Sequence, residues 1–162
     1  MSSRIVVGIG ELAVSNDPEM VVITHALGSC VAVCLFDETV GVAGLIHVLL
    51  PDSRINPDRA QSQPAAFADT GIPMLFREAY RYGAEKKRCR VRIFGGADVA
   101  QLGQGEGSVG KRNVQAARAM LWRNGVLLSG ESVGGHSPRT VAIAVATGLT
   151  QVSTAGEVVE EL

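Results

Sequence analysis

Cys30 and His47 are the residues of this sequence best suited to chemistry, because each lies in an apolar run and a short polar segment joins the two runs. Residues 30–36 are rich in β-branched and other apolar side chains, residues 41–50 are also apolar, and residues 37–40 are typical of a turn. Two such runs around a short turn indicate a β-hairpin. The sequence therefore predicts a thiol on one strand and an imidazole on the neighbouring strand.

The register of this hairpin decides whether the two side chains meet. If Phe36 pairs with Gly41, Cys30 lies directly opposite His47. Facing residues have Cβ atoms about 4.5–5.5 Å apart, which would allow the imidazole to accept the thiol proton. The thiolate is the nucleophilic form of cysteine. We therefore expect His47 to act as a general base, to lower the pKa of Cys30, and to make Cys30 react with alkylating reagents faster than Cys34.

The residues directly before Cys30 favour a tight turn. Gly28 and Ser29 are small, and a turn at this point would leave backbone N–H groups free to stabilise an oxyanion or to bind substrate. The alternative is that Cys30 is a small apolar residue that fills a buried strand, as free cysteines often do. The residues around Cys30 leave both interpretations open.

Several short motifs follow one another along the chain. They are residues 24–31, 43–51, 93–97, 109–114 and 133–135, with Arg139 shortly after the last. In this order they resemble the signature of the chemoreceptor glutamine deamidase family, known as CheD, over most of the chain. The resemblance implies that Cys30 is the nucleophile, that His47 is its base, and that Thr24 supports the pair.

The resemblance also implies a reaction and its partners. Members of the family convert specific glutamine side chains of methyl-accepting chemotaxis receptors to glutamate with release of ammonia. The expected mechanism passes through a thioester on Cys30, needs no cofactor, and would also hydrolyse a receptor methyl ester. A chemotaxis phosphatase is a second expected partner. The alternative is a non-catalytic regulatory module that binds receptors or the phosphatase, and the motifs are compatible with both functions.

The distribution of apolar runs predicts the secondary structure. Strands are predicted near residues 4–9, 20–25, 30–36, 41–49, 90–94, 126–133, 139–146 and 149–154. Their spacing is not a regular alternation with helices, so the fold class is predicted as α+β. The resemblance implies a three-layer α/β/β sandwich with mixed sheets, similar to that of deamidating bacterial toxins.

Two helices and one long loop complete this prediction. The first helix is expected to have Pro73 in its first turn and to end before Gly83. The second is expected over residues 111–124, with an end at Gly125. Its apolar stripe consists of Val114, Ala117, Met120 and Leu121. Residues 52–64 are polar and turn-rich, and are predicted to form a surface loop.

Length and charge limit the classes of partner. The chain has 162 residues, of which 46% are hydrophobic, so residues 1–162 are expected to form a single domain with one substantial core. The net charge is −1 and the charges are mixed, so we expect no nucleic-acid partner. The sequence shows no secretory leader, no long uncharged apolar run and no disulfide-like cysteine spacing. We therefore expect a cytoplasmic, reduced protein without direct membrane insertion.

Two further features, a glycine-rich segment and a third cysteine, are weaker indications of function. Residues 105–112 partly match a phosphate-binding loop, but Arg112 stands where a hydroxyl would hold magnesium, and the segment does not directly follow a strand. It is predicted to be a glycine-rich entry into the second helix. Cys89 lies among cations that would favour its thiolate, so it is a candidate for a more reactive bystander.

No metal site is predicted. The chain has no Cys-x-x-Cys pair and no helical His-x-x-x-His pair among its candidate ligands, which are His25, Cys30, Cys34, His47 and His136. His25 is a candidate to line the site and His136 a candidate to reach the substrate, but each is predicted to be incidental.

Overall fold

The fold is α+β, with two mixed β-sheets and few helices. A computed structural model describes residues 3–99 and 108–162 of the protein, and these residues contain ten strands. Sheet 1 has the order β1 (Ser3–Val6), β3 (Met20–Leu27), β8 (Arg139–Ala144), β9 (Thr150–Thr154), β10 (Glu157–Glu161). Sheet 2 has the order β2 (Leu12–Ser15), β5 (Val42–Val48), β4 (Val31–Asp37), β6 (Arg90–Gly95), β7 (Leu128–Val133). The β1–β3 and β6–β7 pairs are parallel and the other neighbours are antiparallel.

The described residues also form three α-helices, namely α1 (Pro57–Ser62), α2 (Ala68–Tyr80) and α3 (Val109–Arg123). Short 3₁₀ turns occupy Ser53–Ile55, Pro64–Ala66 and Lys86–Arg88. Helix α3 begins where the Ser108 side chain accepts a hydrogen bond from the Lys111 N–H, and it ends just before Gly125. Its predicted apolar stripe is confirmed, because Val114, Ala117 and Leu121 are buried. No helix among the described residues is long and apolar enough to cross a membrane.

Strand β4 is buried on both faces, and its side chains alternate between two core clusters. Val31 and Leu35 pack with apolar residues of α2 and α3. Ala32 and Phe36 pack with apolar residues of sheet 1, and Cys30, directly before the strand, belongs to the same cluster. The thiol therefore lies on the face of sheet 2 that is turned toward sheet 1.

The eight predicted strands are confirmed, with ends that differ by a few residues. Two strands were missed. Strand β2 has only four residues and β10 carries three glutamates, so neither shows the apolar run of a typical strand. Each is completed by backbone pairing with a neighbour, β2 with β5 and β10 with β9.

The predicted start of the first long helix is wrong. Helix α2 begins at Ala68, so Pro73 lies inside it and not in its first turn. The chain enters the helix directly after a 3₁₀ turn, and the Phe67 carbonyl accepts the Gly71 N–H at 2.7 Å. Gly71 allows close packing on β5, because a Cβ there would lie 2.8 Å from both the Ala65 carbonyl oxygen and the Ile46 side chain.

The prediction of a surface loop over residues 52–64 is also wrong. This segment contains α1, which starts where the Asn56 side chain accepts a hydrogen bond from the Arg59 N–H at 3.1 Å. Pro57 occupies the first helical position, where its missing N–H costs nothing. A capping residue followed by proline was therefore a helix signal within a polar stretch.

Candidate active site

The strand register of the β4–β5 hairpin differs from the prediction. His47 pairs with Ala32, whereas the predicted register pairs it with Cys30. Because side chains alternate along a strand, this shift of two residues leaves Cys30 and His47 on the same face of sheet 2. They lie diagonally across the hairpin, a relationship in which the residues are about 7–8 Å apart and their Cβ atoms somewhat closer.

The turn of the hairpin explains the shift. Asp37 pairs with Val42, so the turn consists of residues 38–41. Gly41 has a φ of 64°, which suits a turn and not a strand. The Asp37 carboxylate accepts a hydrogen bond from the Thr39 N–H at 3.0 Å, and this contact stabilises the start of the turn.

His47 is buried, with 1% of its surface exposed, and Thr24 holds its ring. The Thr24 Oγ1 lies 2.7 Å from His47 Nδ1 and 2.6 Å from the Val7 carbonyl oxygen. A hydroxyl has one proton and a carbonyl can only accept, so Thr24 donates to Val7 and accepts from Nδ1–H. In the neutral ring Nε2 therefore carries no proton. Nε2 has no hydrogen-bond partner among the described residues.

Burial controls the charge of both side chains. It lowers the pKa of His47 from 6.5 to about 4, so the ring is neutral at pH 7. Burial also raises the pKa of the Cys30 thiol, and the Cys30 backbone N–H opposes this rise. The expected lowering of the Cys30 pKa is therefore wrong, because the apolar surroundings favour the neutral thiol. The resting site combines a neutral thiol with an imidazole whose Nε2 is free to accept a proton.

A sharp turn separates Thr24 from Cys30. The pairing of β3 with β8 shifts after Thr24, and Ala26 within this bulge has a φ of 54°, a conformation that is uncommon for residues other than glycine. The Gly28 N–H donates to the Ala26 carbonyl at 3.0 Å and is therefore occupied. By contrast, no oxygen within residues 3–99 and 108–162 accepts a hydrogen bond from the N–H groups of Ser29 and Cys30, although the Cys30 N–H interacts with its own thiol.

The backbone at the end of β6 approaches Cys30 closely. The Gly96 N–H donates to the Cys30 carbonyl at 2.8 Å, and a Cβ on Gly95 would lie 2.4 Å from that oxygen. The first turn of α3 packs on the same segment, because a Cβ on Gly110 would lie 2.5 Å from the Gly96 carbonyl oxygen. Of the predicted glycine-rich entry into α3, residues 105–107 lie outside the described residues.

Helix α3 also contributes a buried asparagine to this region. The Nδ2 of Asn113 donates to the carbonyl oxygens of Ser29, at 2.9 Å, and Leu49, at 3.0 Å. Ser29 directly precedes Cys30, and Leu49 closely follows His47. One side chain therefore links the two chain segments that carry the candidate nucleophile and base.

Comparison with known proteins agrees with the motifs. Residues 49–154, more than half of the chain, match the family model described as "CheD chemotactic sensory transduction". The chain belongs to the CheD family. It is 41% identical over 158 residues to "Probable chemoreceptor glutamine deamidase CheD 1" of Syntrophus aciditrophicus, with 98% of each sequence covered. It is 37% identical to the "Probable chemoreceptor glutamine deamidase CheD" of Pyrococcus abyssi, with 100% of this chain and 99% of that protein covered.

The match to the CheD family model begins after His47, but the alignment with the Pyrococcus abyssi protein spans the whole chain and so includes the candidate site. Among solved structures, the hypothetical protein YfiH of Bacillus licheniformis has a TM-score of 0.46 and 14% identity, covering 75% of this chain and 49% of that one. A likeness of this size says nothing about function.

The remaining histidines of this CheD-family chain are exposed. His25 follows Thr24 on β3 and points away from the core. His136 is also exposed, and its Nδ1 lies 3.0 Å from the Asp98 carbonyl oxygen. Among the described residues, no three His, Cys, Asp or Glu side chains are grouped closely enough to hold a metal ion.

Burial raises the pKa of the other two cysteines. Cys34 lies on the same face of β4 as Ala32, and burial raises its pKa to about 12. The expectation of a reactive Cys89 is wrong, because burial, with a contribution from the Asp37 charge, raises its pKa to about 11 and outweighs the opposing effect of Arg88.

Two contributors to the site were missed at the level of sequence. Val7 acts through its backbone carbonyl, which no side-chain pattern reveals. Asn113 had a signal, since it is a polar residue on the buried stripe of α3 next to Val114. A polar residue at such a position requires hydrogen-bond partners.

Proposed function

We propose that this chain hydrolyses the side-chain amide of specific glutamine residues in methyl-accepting chemotaxis receptors, giving glutamate and ammonia. Its curated relatives are named chemoreceptor glutamine deamidases, which are hydrolases of an amide C–N bond. The observation that carries the chemistry is the unprotonated Nε2 of His47, which shares a face of sheet 2 with Cys30. A thiol with a nearby base is the requirement of nucleophilic cysteine catalysis.

Cys30 is the proposed nucleophile and His47 the proposed base. When the substrate amide arrives, Nε2 accepts the thiol proton and the sulfur forms a bond to the carboxamide carbon. Thr24 keeps the ring oriented, because it still accepts the Nδ1–H bond when the ring becomes charged. A ring with a pKa of about 4 is a strong acid once protonated, which favours transfer of the proton to the leaving nitrogen.

The reaction then proceeds in two halves. The C–N bond of the tetrahedral intermediate breaks, the nitrogen takes the proton from Nε2 and leaves as ammonia, and a thioester remains on Cys30. A water molecule next gives a proton to Nε2 and attacks the thioester carbon. The C–S bond breaks, the sulfur regains the proton, and the side chain is released as glutamate.

Negative charge develops on the carboxamide oxygen in both halves. The N–H groups of Ser29 and Cys30 are the proposed donors, since no oxygen of the described residues accepts a hydrogen bond from either. Gly28 contributes by forming the turn that presents them, because its own N–H is used by Ala26.

Other parts of the proposal rest on the family resemblance. Attack on a γ-glutamyl methyl ester follows the same steps with methanol as the leaving group, so a receptor methylesterase activity is included. A chemotaxis phosphatase is proposed as a second partner. The three-layer α/β/β arrangement, its likeness to deamidating toxins and the assignment of residues 1–162 to one domain stay predictions. The two core clusters on the faces of sheet 2 support the layering.

The test is mass spectrometry of a purified receptor cytoplasmic fragment after incubation with the protein. We expect glutamine-to-glutamate conversion with the wild type and none with Cys30→Ala. Cys34→Ala is the matched control, because Cys34 is a buried cysteine on the same face of the same hairpin. Conversion by Cys30→Ala would contradict the mechanism, and binding of the fragment without any conversion by the wild type would favour the regulatory module.

Free glutamine should be a poor substrate. It lacks the surrounding receptor surface whose binding energy would position the amide at the thiol. Ammonia release from free glutamine and from the receptor fragment can be compared at matched amide concentration. Equal specificity constants would favour a small-molecule amidase that uses the same cysteine and histidine.

A further inference from the structure

The hydrogen bonds of Asn113 replace a strand pairing that stops beside Cys30. The register of β4 with β5 places Ser29 opposite Leu50 if the ladder continues. Leu50 instead turns away, since its N–H donates to the Ala66 carbonyl and its own carbonyl accepts from the Ala68 N–H, each at 3.0 Å. The Ser29 carbonyl therefore loses its strand partner, and Asn113 Nδ2 supplies the missing donor.

The second proton of the same amide fixes the other strand. It bonds the Leu49 carbonyl at 3.0 Å, while the Leu49 N–H donates to the Ala66 carbonyl at 2.8 Å. The residue before Cys30 and a residue just beyond His47 are thus held by one nitrogen atom. Any displacement of this nitrogen changes the separation of the thiol and the imidazole.

The Asn113 amide is hydrogen-bonded to the described residues through its nitrogen but not through its oxygen. Asn113 is fully buried, and its Oδ1 has no hydrogen-bond partner among the described residues. An unpaired buried acceptor costs free energy, and the surrounding cluster of Val114, Ala117 and Val31 is apolar. An amide at this position is explained by its two donors and the segments that they join.

We propose that Asn113 is a positioning residue, which holds the Cys30 turn against the end of β5 so that the thiol stays within reach of His47 Nε2. The proposal rests on the proposed cysteine mechanism, and it assigns to α3 a part in the site. Among the described residues Asn113 hydrogen-bonds neither the thiol nor the imidazole, so its effect on the reaction is assigned to the Ser29 and Leu49 backbone.

The test compares Asn113→Leu with the wild type. Leucine resembles asparagine in branching but is larger, and it removes both donors and the unpaired Oδ1. It also leaves the Ser29 and Leu49 carbonyls without the Nδ2 donor, so circular dichroism and thermal melting must check the fold. Asn124→Leu is the matched control, because Asn124 follows the last turn of the same helix and its Nδ2 bonds the Met120 carbonyl at 2.7 Å, on the exposed surface. Asn113→Ser, whose hydroxyl can donate to one carbonyl only, serves as a second variant if leucine prevents folding.

Two readouts are needed. With a receptor fragment as substrate, Asn113→Leu should lower kcat by about 10–100-fold with KM nearly unchanged, because small displacements of reacting groups have effects of this size. The pH profile of Cys30 alkylation by iodoacetamide should shift to lower pH, because a displaced turn exposes the thiol and relieves the burial that raises its pKa. Asn113→Ser should show smaller changes in the same directions, and Asn124→Leu should match the wild type.

The outcomes separate the two proposals. A folded Asn113→Leu or Asn113→Ser protein with wild-type kcat and a wild-type alkylation profile overturns the positioning role, as do equal losses in the Asn113→Leu and Asn124→Leu proteins. If the wild type releases no ammonia from the fragment, the deamidase proposal fails. The alkylation profile requires no substrate, so it still decides whether Asn113 positions Cys30.

Discussion

The hydrogen bond between Thr24 and His47 joins the two sheets of the fold. Thr24 lies on β3 of sheet 1, His47 lies on β5 of sheet 2, and Oγ1 is 2.7 Å from Nδ1. The Val7 carbonyl uses the hydroxyl proton, so this contact also selects the tautomer of the imidazole. The proposed base is therefore available only when both sheets are packed together.

Thr24→Val should reduce the rate of deamidation by about 10–100-fold, since loss of a residue that orients a functional histidine has an effect of this order. Valine has nearly the same shape as threonine, but it neither accepts from Nδ1–H nor donates to Val7. The measurement is kcat on a receptor fragment, together with nitrogen NMR of the ring tautomer. Thr24→Ser keeps the hydroxyl and should stay near wild type, and an equal loss in both variants would contradict this role.

His47→Asn should leave the hairpin folded but reduce the rate by about two decades or more, which is the usual contribution of general acid–base catalysis. Asparagine is polar and can still bond Thr24, so the structural change is small. Circular dichroism and thermal melting check the fold, and ammonia release measures the rate. A well-folded variant with a wild-type rate would remove His47 from the mechanism.

The low pKa of His47 predicts a pH dependence of stability. The unfolded chain binds a proton at this residue near pH 6.5, whereas the folded protein does so only near pH 4. Its contribution to stability is therefore complete above pH 6.5 and is lost as the pH falls to about 4. The full difference corresponds to about 3 kcal/mol, at about 1.4 kcal/mol for each pKa unit.

Urea titrations at several pH values between neutral and about pH 4 measure this effect as the free energy of unfolding. The His47→Asn variant is the reference, because it lacks the titrating ring. The stability difference between wild type and variant should shrink as the pH falls. A difference that stays constant over this range would show that the buried ring is not kept neutral.

Alkylation should distinguish Cys30 from Cys34. Cys30 lies at the end of the hairpin with 7% of its surface exposed, whereas Cys34 has 2% exposed and a pKa raised to about 12. Cys30 should therefore react faster than Cys34 in the folded protein, although burial keeps its rate below that of an ordinary exposed thiol. Peptide mapping after limited alkylation measures the rates, and labelling in denaturant is the control. Equal rates in the folded state would count against a distinct role for Cys30.

Asp37 should be important for stability, because it holds the turn that sets the register. Its fully buried carboxylate accepts hydrogen bonds from the Arg88 side chain and from the N–H groups of Glu85 and Thr39. Asp37→Ala should lower the free energy of unfolding by about 2–4 kcal/mol, since it leaves these donors unpaired. Glu38→Ala, in the same turn but with an 83% exposed side chain, should change it by less than about 1 kcal/mol.

The stability contribution of Asp37 should depend on pH in a lower range than that of His47. Burial alone would raise its pKa, but the hydrogen bonds from Arg88, Glu85 and Thr39 outweigh burial and lower the pKa below 3.8. Its contribution is therefore complete above pH 3.8 and is lost only as the pH falls further. Wild type and Asp37→Ala should converge in stability in that acid range, as thermal melts would show.

The β4–β5 hairpin shows which features of the site could be predicted from the sequence and which could not. Two apolar runs around a polar turn predicted both strands, and the alternation of side chains placed Cys30 and His47 on one face even though the register was wrong by two residues. The error arose because Asp37 was assigned to the turn and Gly41 to the strand. The Asp37 carboxylate also accepts hydrogen bonds from the Glu85 N–H and the Arg88 side chain, which are distant along the chain and which no local pattern reveals.

The linear order of residues was sufficient for the strand patterns, the stripe of α3 and the motifs of the family, since these depend on neighbours a few positions apart. Tertiary structure decided what depends on distant segments. Thr24 meets His47 only where sheet 1 packs on sheet 2, and Asn113 reaches Ser29 and Leu49 only because α3 lies over the end of the hairpin. Tertiary structure also decided the charges of Cys30 and His47. Burial by the whole fold, and not the identity of their neighbours in sequence, shifts both pKa values.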